Sequence, residues 1–369
     1  MRSAKCEVRS VHGRSKTNRP LIAISHFALR TSHFFACLLL LGCGPSGRTP
    51  LVIYSPHGRD LLTLLQHRFE QLHPDVQVQW LDMGSQEVYD RVSSERANPQ
   101  GDVWFGGPGT ILARAAEDSL LQAFRPTWAD AIPAGERAPG DLYFSAYRTP
   151  VVLIYPEQAL QPAQAPHDWD DLLAPQWKGK VVIRDPIASG TMRAVWGLII
   201  ERGLAATGDT AAGFAWLRRL DAQTREYVIN ETILEQKLIR REGLVSIWDL
   251  PDILLNRRDG MQMGYTFPTS GTPVIQDAIA VIRGARHPEL ARTFVEWVGS
   301  MEAQLLATRQ AFRLPARTDI PADSLPSWAQ EVNRRMTAAP MDWAQLAKHQ
   351  AEWMRYWDEH VRAHGGEAR

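Results

Sequence analysis

From residue 50 onward, short apolar runs alternate with segments in which apolar side chains recur at helical spacing. The runs at 51–54, 102–105 and 180–184 have the length of strands in a largely buried sheet. Residues 76–80 alternate apolar with polar side chains, as a half-buried strand does. Because strand, loop and helix follow one another in order, the pattern predicts parallel βαβ units and an α/β fold.

This α/β pattern occurs twice, which predicts two lobes joined by two chain crossings. Residues 50–146 are expected to form the first part of lobe 1, residues 147–267 lobe 2, and residues 268–320 the second part of lobe 1. A helical tract with scattered tryptophans covers 321–369. Two crossings predict a hinge, and hinge closure would trap a ligand in the cleft between the lobes.

The start of the chain has the pattern of a targeting segment. A basic stretch precedes the apolar run at 34–41, which is followed by Gly42 and Cys43, as in a secretory signal peptide. Residues 40–43 (LLGC) resemble the bacterial lipobox. That resemblance implies cleavage before Cys43, a lipid on its sulfur, a tether at 44–49, and a periplasmic or other extracytoplasmic protein anchored to the membrane by this N-terminal lipid. The alternatives are a plain signal peptide and an uncleaved anchor.

Charge and composition narrow the functional classes. The chain has 41 Lys and Arg residues and 41 Asp and Glu residues, and the basic start leaves the remainder mildly acidic. An acidic body argues against nucleic-acid binding, which needs a basic surface. The cysteines (Cys6, Cys37 and Cys43) all lie in the targeting segment, so the body is expected to have neither a disulfide nor a thiolate metal site. The sequence contains no Gly-x-Ser-x-Gly or His-Glu-x-x-His motif, and we expect neither an enzyme nor a resident cofactor.

The segment 185–193 (DPIASGTMR) is the clearest candidate for a binding turn. Ser189 can cap a helix, which leaves the amide N–H groups of Gly190, Thr191 and Met192 free, and Gly190 permits close approach of a ligand. Free N–H groups at the positive end of a helix form an anion site. Arg193 lies in the first turn, where a cation is unfavourable unless an anion is bound nearby. The alternative is a capped helix start with Arg193 exposed to water.

Further candidates follow the predicted strands, because open α/β sheets bind ligands at the carboxyl ends of their strands. They are Ser55, His57 and Gly58 after the first strand, Ser85 after the second, Gly107 after the third, Trp248 and Asp249 after the strand at 244–247, and Tyr147 in the first chain crossing. Two alternatives stay open: His57 as an ordinary surface turn residue, and Trp248 as packing against the hinge.

Six landmarks resemble, in their order and spacing, the periplasmic solute-binding proteins of the ferric-ion, thiamine and phosphorylated-solute group. They are residues 54–57, 97–105, 177–180, 188–191, Asn230 and residues 313–317. The resemblance implies a two-lobed periplasmic-binding-protein type II fold, with an interlobe ligand cleft and two hinge crossovers. It also implies a partner, the permease of an ABC transporter in the cytoplasmic membrane. We expect a monomer.

The resemblance also bears on the ligand. Ferric-binding members place a companion anion on the turn that matches residues 189–191, and Asn230 matches a further anion contact. Their paired tyrosines, which bind iron, are replaced here by Trp248 and Asp249. We therefore expect no metal but a small anionic solute with a phosphate or phosphonate group, on which Trp248 stacks and to which Asp249 offers an acceptor. The alternatives are a ferric-ion-binding protein and, from other classes, an exported hydrolase or the ectodomain partner of a sensor.

Overall fold

The computed structural model describes residues 47–362. The predicted signal peptide at 1–43, its lipidation site Cys43 and the first part of the tether at 44–49 lie outside the described residues. Between residues 47 and 362, no helix combines the length and the apolar character that a membrane span requires.

Strands and helices alternate through residues 47–362. The strands are β1 (Thr49–Ser55), β2 (Val76–Asp82), β3 (Val103–Pro108), β4 (Leu121–Gln122), β5 (Phe144–Pro156), β6 (Val181–Arg184), β7 (Thr224–Val228), β8 (Ser246–Asp249), β9 (Met263–Thr266), β10 (Val274–Ile282) and β11 (Leu314–Pro315). The helices are α1 (Arg59–Leu72), α2 (Ser85–Ser94), α3 (Gly109–Glu117), α4 (Gly190–Thr207), α5 (Ala211–Asp221), α6 (Glu231–Ile239), α7 (Leu250–Arg258), α8 (Pro288–Val298), α9 (Met301–Ala311), α10 (Ser327–Arg335) and α11 (Trp343–His360).

The first lobe is built on one mixed sheet. β1 pairs in parallel with β2 and β3, as the βαβ pattern predicted. β10 runs antiparallel to β3, β4 and β5, and β11 pairs with β5. Leu61, Leu65 and Phe69 recur on one face of α1, which is buried with α8 and α9 in one hydrophobic cluster. The apolar faces of α2 and α3 are buried in a second cluster, so helices cover the sheet in two separate layers.

The long strand β5 carries the chain from the first lobe to the second. Its first half pairs with β10, ending at the pair Pro150 and Val274, and its second half pairs with β8 and β9 from Val151 onward. The chain returns beside this point, where the Val151 amide donates to the Pro273 carbonyl at 3.1 Å. The predicted lobe boundaries at 147 and 268 lie a few residues before these points.

The second lobe is centred on α4. Every residue of α4 from Gly190 to Ile200 is buried, because the helix is apolar on all sides. β6 pairs in parallel with β7, and Val181 forms a parallel bridge with Val245, the residue before β8. The carboxyl ends of β6 and β8 therefore lie at the same edge of this lobe, the edge that faces the first lobe.

The C-terminal tract packs against both lobes, with α11 in contact with α4 of the second lobe and with α3 of the first. Met354 and Trp357 of α11 are buried in the same hydrophobic cluster as α4. The Trp357 ring meets the rings of Trp196 and Tyr227 edge-on, at centroid distances of 5.7 and 5.2 Å. Trp357 thus packs against α4, whereas the Trp328 indole donates to the Thr308 carbonyl of α9 in the first lobe at 3.2 Å.

Candidate ligand-binding cleft

A cleft of about 90 Å³ lies between the two lobes. The first lobe lines it with the residues that follow β1, β2 and β3, and the second lobe lines it with the residues that follow β6 and β8. The lobes touch at Gly190, where an added methyl group would lie 2.6 Å from the Pro108 ring and 3.0 Å from the Ser85 hydroxyl. The structure is therefore a closed form, in which the cleft is small.

Helix N-termini from both lobes converge on this cleft. Because β1, β2, β3, β6 and β8 end at it, the helices that follow them begin at it. The lining residues at these helix starts are Gly58 of α1, Gly84 of α2, Pro108 of α3, Ser189 of α4, Glu231 of α6 and Asp249 of α7. In α1, α2, α3 and α7 no side chain caps the first turn. Each start presents unpaired N–H groups and a partial positive charge, so the set favours an anion.

The turn at residues 185–191 has the predicted form. The Ser189 hydroxyl accepts the Met192 amide proton at 3.2 Å and so caps α4. Gly190 and Thr191 line the cleft beside it. The Thr191 hydroxyl donates to Asp249 at 2.9 Å, which ties the starts of α4 and α7 together.

Arg193 does not have the predicted environment. Its side chain is buried, and its guanidinium donates to the carbonyl oxygens of Pro186, at 3.2 Å, and Ile187. Burial lowers the pKa of Arg193 to about 10. These two carbonyls compensate the positive charge of Arg193 in the first turn of α4. The predictions that a bound anion compensates this charge, or that Arg193 is exposed to water, were wrong.

Arg184 is a site residue that the sequence analysis missed. It is the last residue of β6, it lines the cleft, and it is 7% exposed. Its Nε and Nη1 atoms have no hydrogen-bond partner, and Nε lies 3.8 Å from the Glu231 carboxylate. Burial lowers the pKa of Arg184. A buried cation without hydrogen bonds is unfavourable, so an incoming anion would stabilise it. Its place at the carboxyl end of a parallel strand is the signal that could have identified it.

Carboxylates line the hinge side of the cleft. Asp249, Asp252 and Asp277 lie there with Arg313, whose Nη2 is 3.5 Å from Asp252. Burial raises the pKa of Asp249 well above its usual range, and the charges of Asp252 and Asp277 raise it further. Burial likewise raises the pKa of Asp277 to about 6, although the Arg313 charge and the hydrogen bonds from Thr149 and Gly107 lower it. This wall offers acceptors to a hydroxyl or an ammonium group.

Trp248 and His57 line the cleft but are held by the protein. The Trp248 indole donates to Asp252 at 2.9 Å and is 6% exposed. The His57 ring packs edge-on against Phe105 at 4.8 Å, and its Nε2 atom has no partner. Burial, aided by the Arg313 charge, lowers the pKa of His57 well below its usual range. His57 is therefore neutral and turned towards the core rather than exposed at a surface turn.

Gly58, Ser85 and Gly107 line the cleft, whereas three predicted ligand contacts lie behind its wall. The Ser55 hydroxyl donates to the Phe105 carbonyl at 2.6 Å and so shapes the turn after β1. Tyr147 is fully buried, and its hydroxyl has no partner. Asn230 caps α6 by accepting the Ile233 amide proton at 2.9 Å. The expectation that these three side chains face the ligand is not met in this closed form.

The arrangement of lobes, hinge and cleft agrees with comparisons to known proteins. The family of bacterial extracellular solute-binding proteins matches residues 65–338. The chain belongs to this family. An ABC transporter periplasmic-binding protein of Sinorhizobium fredii is 27% identical over 332 residues, which are 89% of this chain and 90% of the relative. A periplasmic protein of Salmonella typhimurium, named for binding 2-aminoethylphosphonate, is 27% identical over 67% of this chain and 72% of its own length.

Solved structures share the fold. The periplasmic binding protein AfuA of Actinobacillus pleuropneumoniae, with fructose-6-phosphate bound, has a TM-score of 0.75 at 23% identity, over 86% of this chain and 99% of that one. Iron-bound HitA of Pseudomonas aeruginosa has a TM-score of 0.70 at 18% identity, over 83% of this chain and 98% of that one. The fold is therefore that of the two-lobed type II binding proteins. The chain is therefore an extracytoplasmic solute-binding protein, of a family whose relatives include an ABC transporter periplasmic-binding protein.

Proposed function

We propose that this binding protein captures a small solute with a phosphate or phosphonate group at one end and an amino group at the other. The observation that carries the proposal is Arg184, a buried guanidinium without hydrogen bonds that lines the cleft where helix starts from both lobes converge. The amides of Gly190 and Thr191 add donors beside it. Phosphate and phosphonate oxygens accept from this combination of groups better than a neutral solute does.

The position of the amino group is proposed from the carboxylates on the hinge side of the cleft. Asp249, Asp252 and Asp277 line the cleft with Arg313, the one cation among these four side chains. Burial raises the pKa values of these three carboxyls, so an ammonium group would stabilise their ionised form, whereas an anion alone would not. The indole of Trp248 can contact the chain between the two charged ends.

The size of the cleft favours a short solute. In this closed form the cavity of about 90 Å³ has room for a few water-sized groups, at about 30 Å³ each in the liquid. A short amino phosphonate needs less enlargement of this cavity than a hexose phosphate does. The relative from Salmonella typhimurium, named for 2-aminoethylphosphonate, supports the same class.

The second candidate is ferric ion, because the carboxylates of the cleft are hard oxygen donors. Among residues 47–362, no three His, Cys, Asp or Glu side chains form a group that could hold a metal ion. Ferric ion would also leave Arg184 without an anionic partner unless a companion anion is bound. We therefore place the phosphonate first.

We also infer that the mature chain is a monomer held at the membrane by lipid on Cys43. The support is the lipobox resemblance at residues 40–43, followed by Gly44, Pro45 and Ser46 before the first strand. A tether of this kind lets the two lobes reach a permease while the anchor stays in the membrane.

Thermal unfolding of the purified protein, with 2-aminoethylphosphonate, fructose 6-phosphate or ferric citrate added, tests the proposal. We expect 2-aminoethylphosphonate to raise the melting temperature most. In calorimetric titrations, Arg184→Gln should weaken its binding by about 10- to 100-fold, because a buried charged hydrogen bond is lost. Arg218→Gln, which removes the same charge from an exposed position on α5, should leave binding unchanged. A shift with ferric citrate alone would establish the iron alternative instead.

A further inference from the structure

The end of the C-terminal helix reaches the binding turn. Arg362 follows α11, and its Nη2 atom donates to the Asp185 carboxylate at 2.7 Å. Asp185 is the first residue of the turn that leads to Gly190 and Thr191. α11 lies beyond residues 65–338, the part of the chain that the family model matches.

Asp185 sets the shape of that turn. One carboxylate oxygen accepts the Ile187 amide proton at 2.8 Å, and the Asp185 carbonyl accepts the amide protons of Ala188 and Ser189 at 3.2 and 3.0 Å. The other carboxylate oxygen accepts from Arg362. Asp185 therefore closes the turn on one side and is held by the C-terminal helix on the other.

Arg362 is itself held in place. Its Nη1 atom donates to Asp358 at 2.9 Å, one turn earlier in the chain. Its guanidinium lies over the rings of Tyr227 and Trp357, at 5.2 and 5.4 Å from their centroids. Stacking and two carboxylates leave the guanidinium little freedom, so the hydrogen bond to Asp185 is preorganised.

We propose that Arg362 is a positioning residue, through which the C-terminal helix holds Asp185, and with it the turn that aims the amides of Gly190 and Thr191 into the cleft. The expected effect of Arg362 on ligand affinity rests on the proposed function. The expected effect of Arg362 on the turn does not depend on any ligand. Arg193 supports the same turn from inside through the carbonyls of Pro186 and Ile187, so the two arginines hold its opposite sides.

Hydrogen exchange of the ligand-free protein, followed by mass spectrometry, tests the role in the turn. Arg362→Gln should speed amide exchange in residues 185–191 by about fivefold or more, because the turn opens more often when its outer partner is lost. Exchange in α1 should not change, which separates this effect from global unfolding. Arg362→Lys should restore most of the protection, since an ammonium group can still donate to Asp185. Arg355→Gln, at an exposed position of the same helix, is the matched control. Unchanged exchange at 185–191 in Arg362→Gln would overturn the proposal.

Calorimetric titration with 2-aminoethylphosphonate tests the consequence for binding. Arg362→Gln and Asp185→Asn should each weaken binding by about three- to tenfold, and the double variant should be no weaker than the worse single variant. Additive losses would show that the two residues act independently and would contradict the proposal. If the wild-type protein does not bind the probe at all, the proposed function fails, while the exchange experiment still decides the role of Arg362.

Discussion

Three buried arginines in and beside the cleft have different surroundings and hence different roles. Arg193 donates to two carbonyls of its own loop, and Arg313 lies near Asp252. Arg184 alone of the three has two buried nitrogen atoms without a partner. Because a buried charge is tolerated only with compensation, Arg193 is structural, whereas Arg184 and, through its unpartnered Nε atom, Arg313 keep donors that a ligand in the cleft would satisfy.

Asp277 carries a prediction about pH. It is 6% exposed, and its pKa is raised to about 6 from an ordinary value of 3.8. Because its pKa is raised, Asp277 ionises less readily in the folded state than in the unfolded state. The free energy of unfolding therefore falls as the pH rises from about 4 to about 6. Asp277→Asn should remove this loss of stability, because asparagine does not ionise. The variant should be more stable than the wild-type protein by about 2 kcal/mol at pH 7.5 and equal to it near pH 4, as measured by denaturant unfolding.

Asp168→Asn is a control of opposite sign for that experiment. Hydrogen bonds from Ser270, Thr269 and the Trp169 amide lower the pKa of Asp168, so its ionised form stabilises the fold at neutral pH. This variant should lose stability at pH 7.5 and match the wild-type protein at low pH. A loss of stability in Asp277→Asn at every pH would show that the hydrogen bonds from Thr149 and Gly107 outweigh its ionisation.

At the scale of elements, the sequence pattern could predict the order of the strands and helices. It could also predict which carboxyl ends of the strands meet at the cleft. The spacing of apolar residues depends on local geometry alone, which is why α1, β2 and the cap at Ser189 were predicted. The direction of a polar side chain at a strand end depends on packing with distant segments. Arg184, which faces the cleft, and Asn230, which does not line it, were therefore not assigned correctly.

The start of α4 allows a test of the difference between stability and binding. Ser189 caps α4 and Ser300 caps α9, each with a hydroxyl that accepts an amide proton at 3.2 Å. Replacing either with Ala should lower the free energy of unfolding by about 1 kcal/mol. Only Ser189→Ala should weaken binding of 2-aminoethylphosphonate, because only α4 begins at the cleft. Equal affinity in both variants would show that the α4 start does not contribute to the ligand site.

At the scale of the whole molecule, the two lobes meet through packing of α4 against β3 and of α11 against α3, and through polar pairs. Arg258 of α7 in the second lobe donates to Asp60 of α1 at 3.0 Å and to the Gln310 carbonyl at 3.2 Å, both in the first lobe. Arg313 and Asp252 form a second pair between the lobes. Such contacts join residues that are far apart in the sequence, so no local pattern predicts them. Because the Arg258 pair is exposed, it adds little by itself to the closed form, and a ligand that contacts both lobes would shift the equilibrium further towards closure.

Gly190 is the place where closure leaves least room. An added methyl group would lie 2.6 Å from Pro108 across the cleft. Gly190→Ala should therefore act as a wedge that keeps the lobes apart, while the helix itself tolerates alanine. We expect about tenfold weaker binding of 2-aminoethylphosphonate, a larger radius of gyration of the ligand-bound protein in X-ray scattering, and little change in the melting temperature without ligand. Gly58→Ala is the matched control, because Gly58 also lines the cleft but has open space where a methyl group would lie. Wild-type affinity in Gly190→Ala would mean that the solute binds without the contact between Gly190 and Pro108, and that the closed form described here is tighter than the bound one.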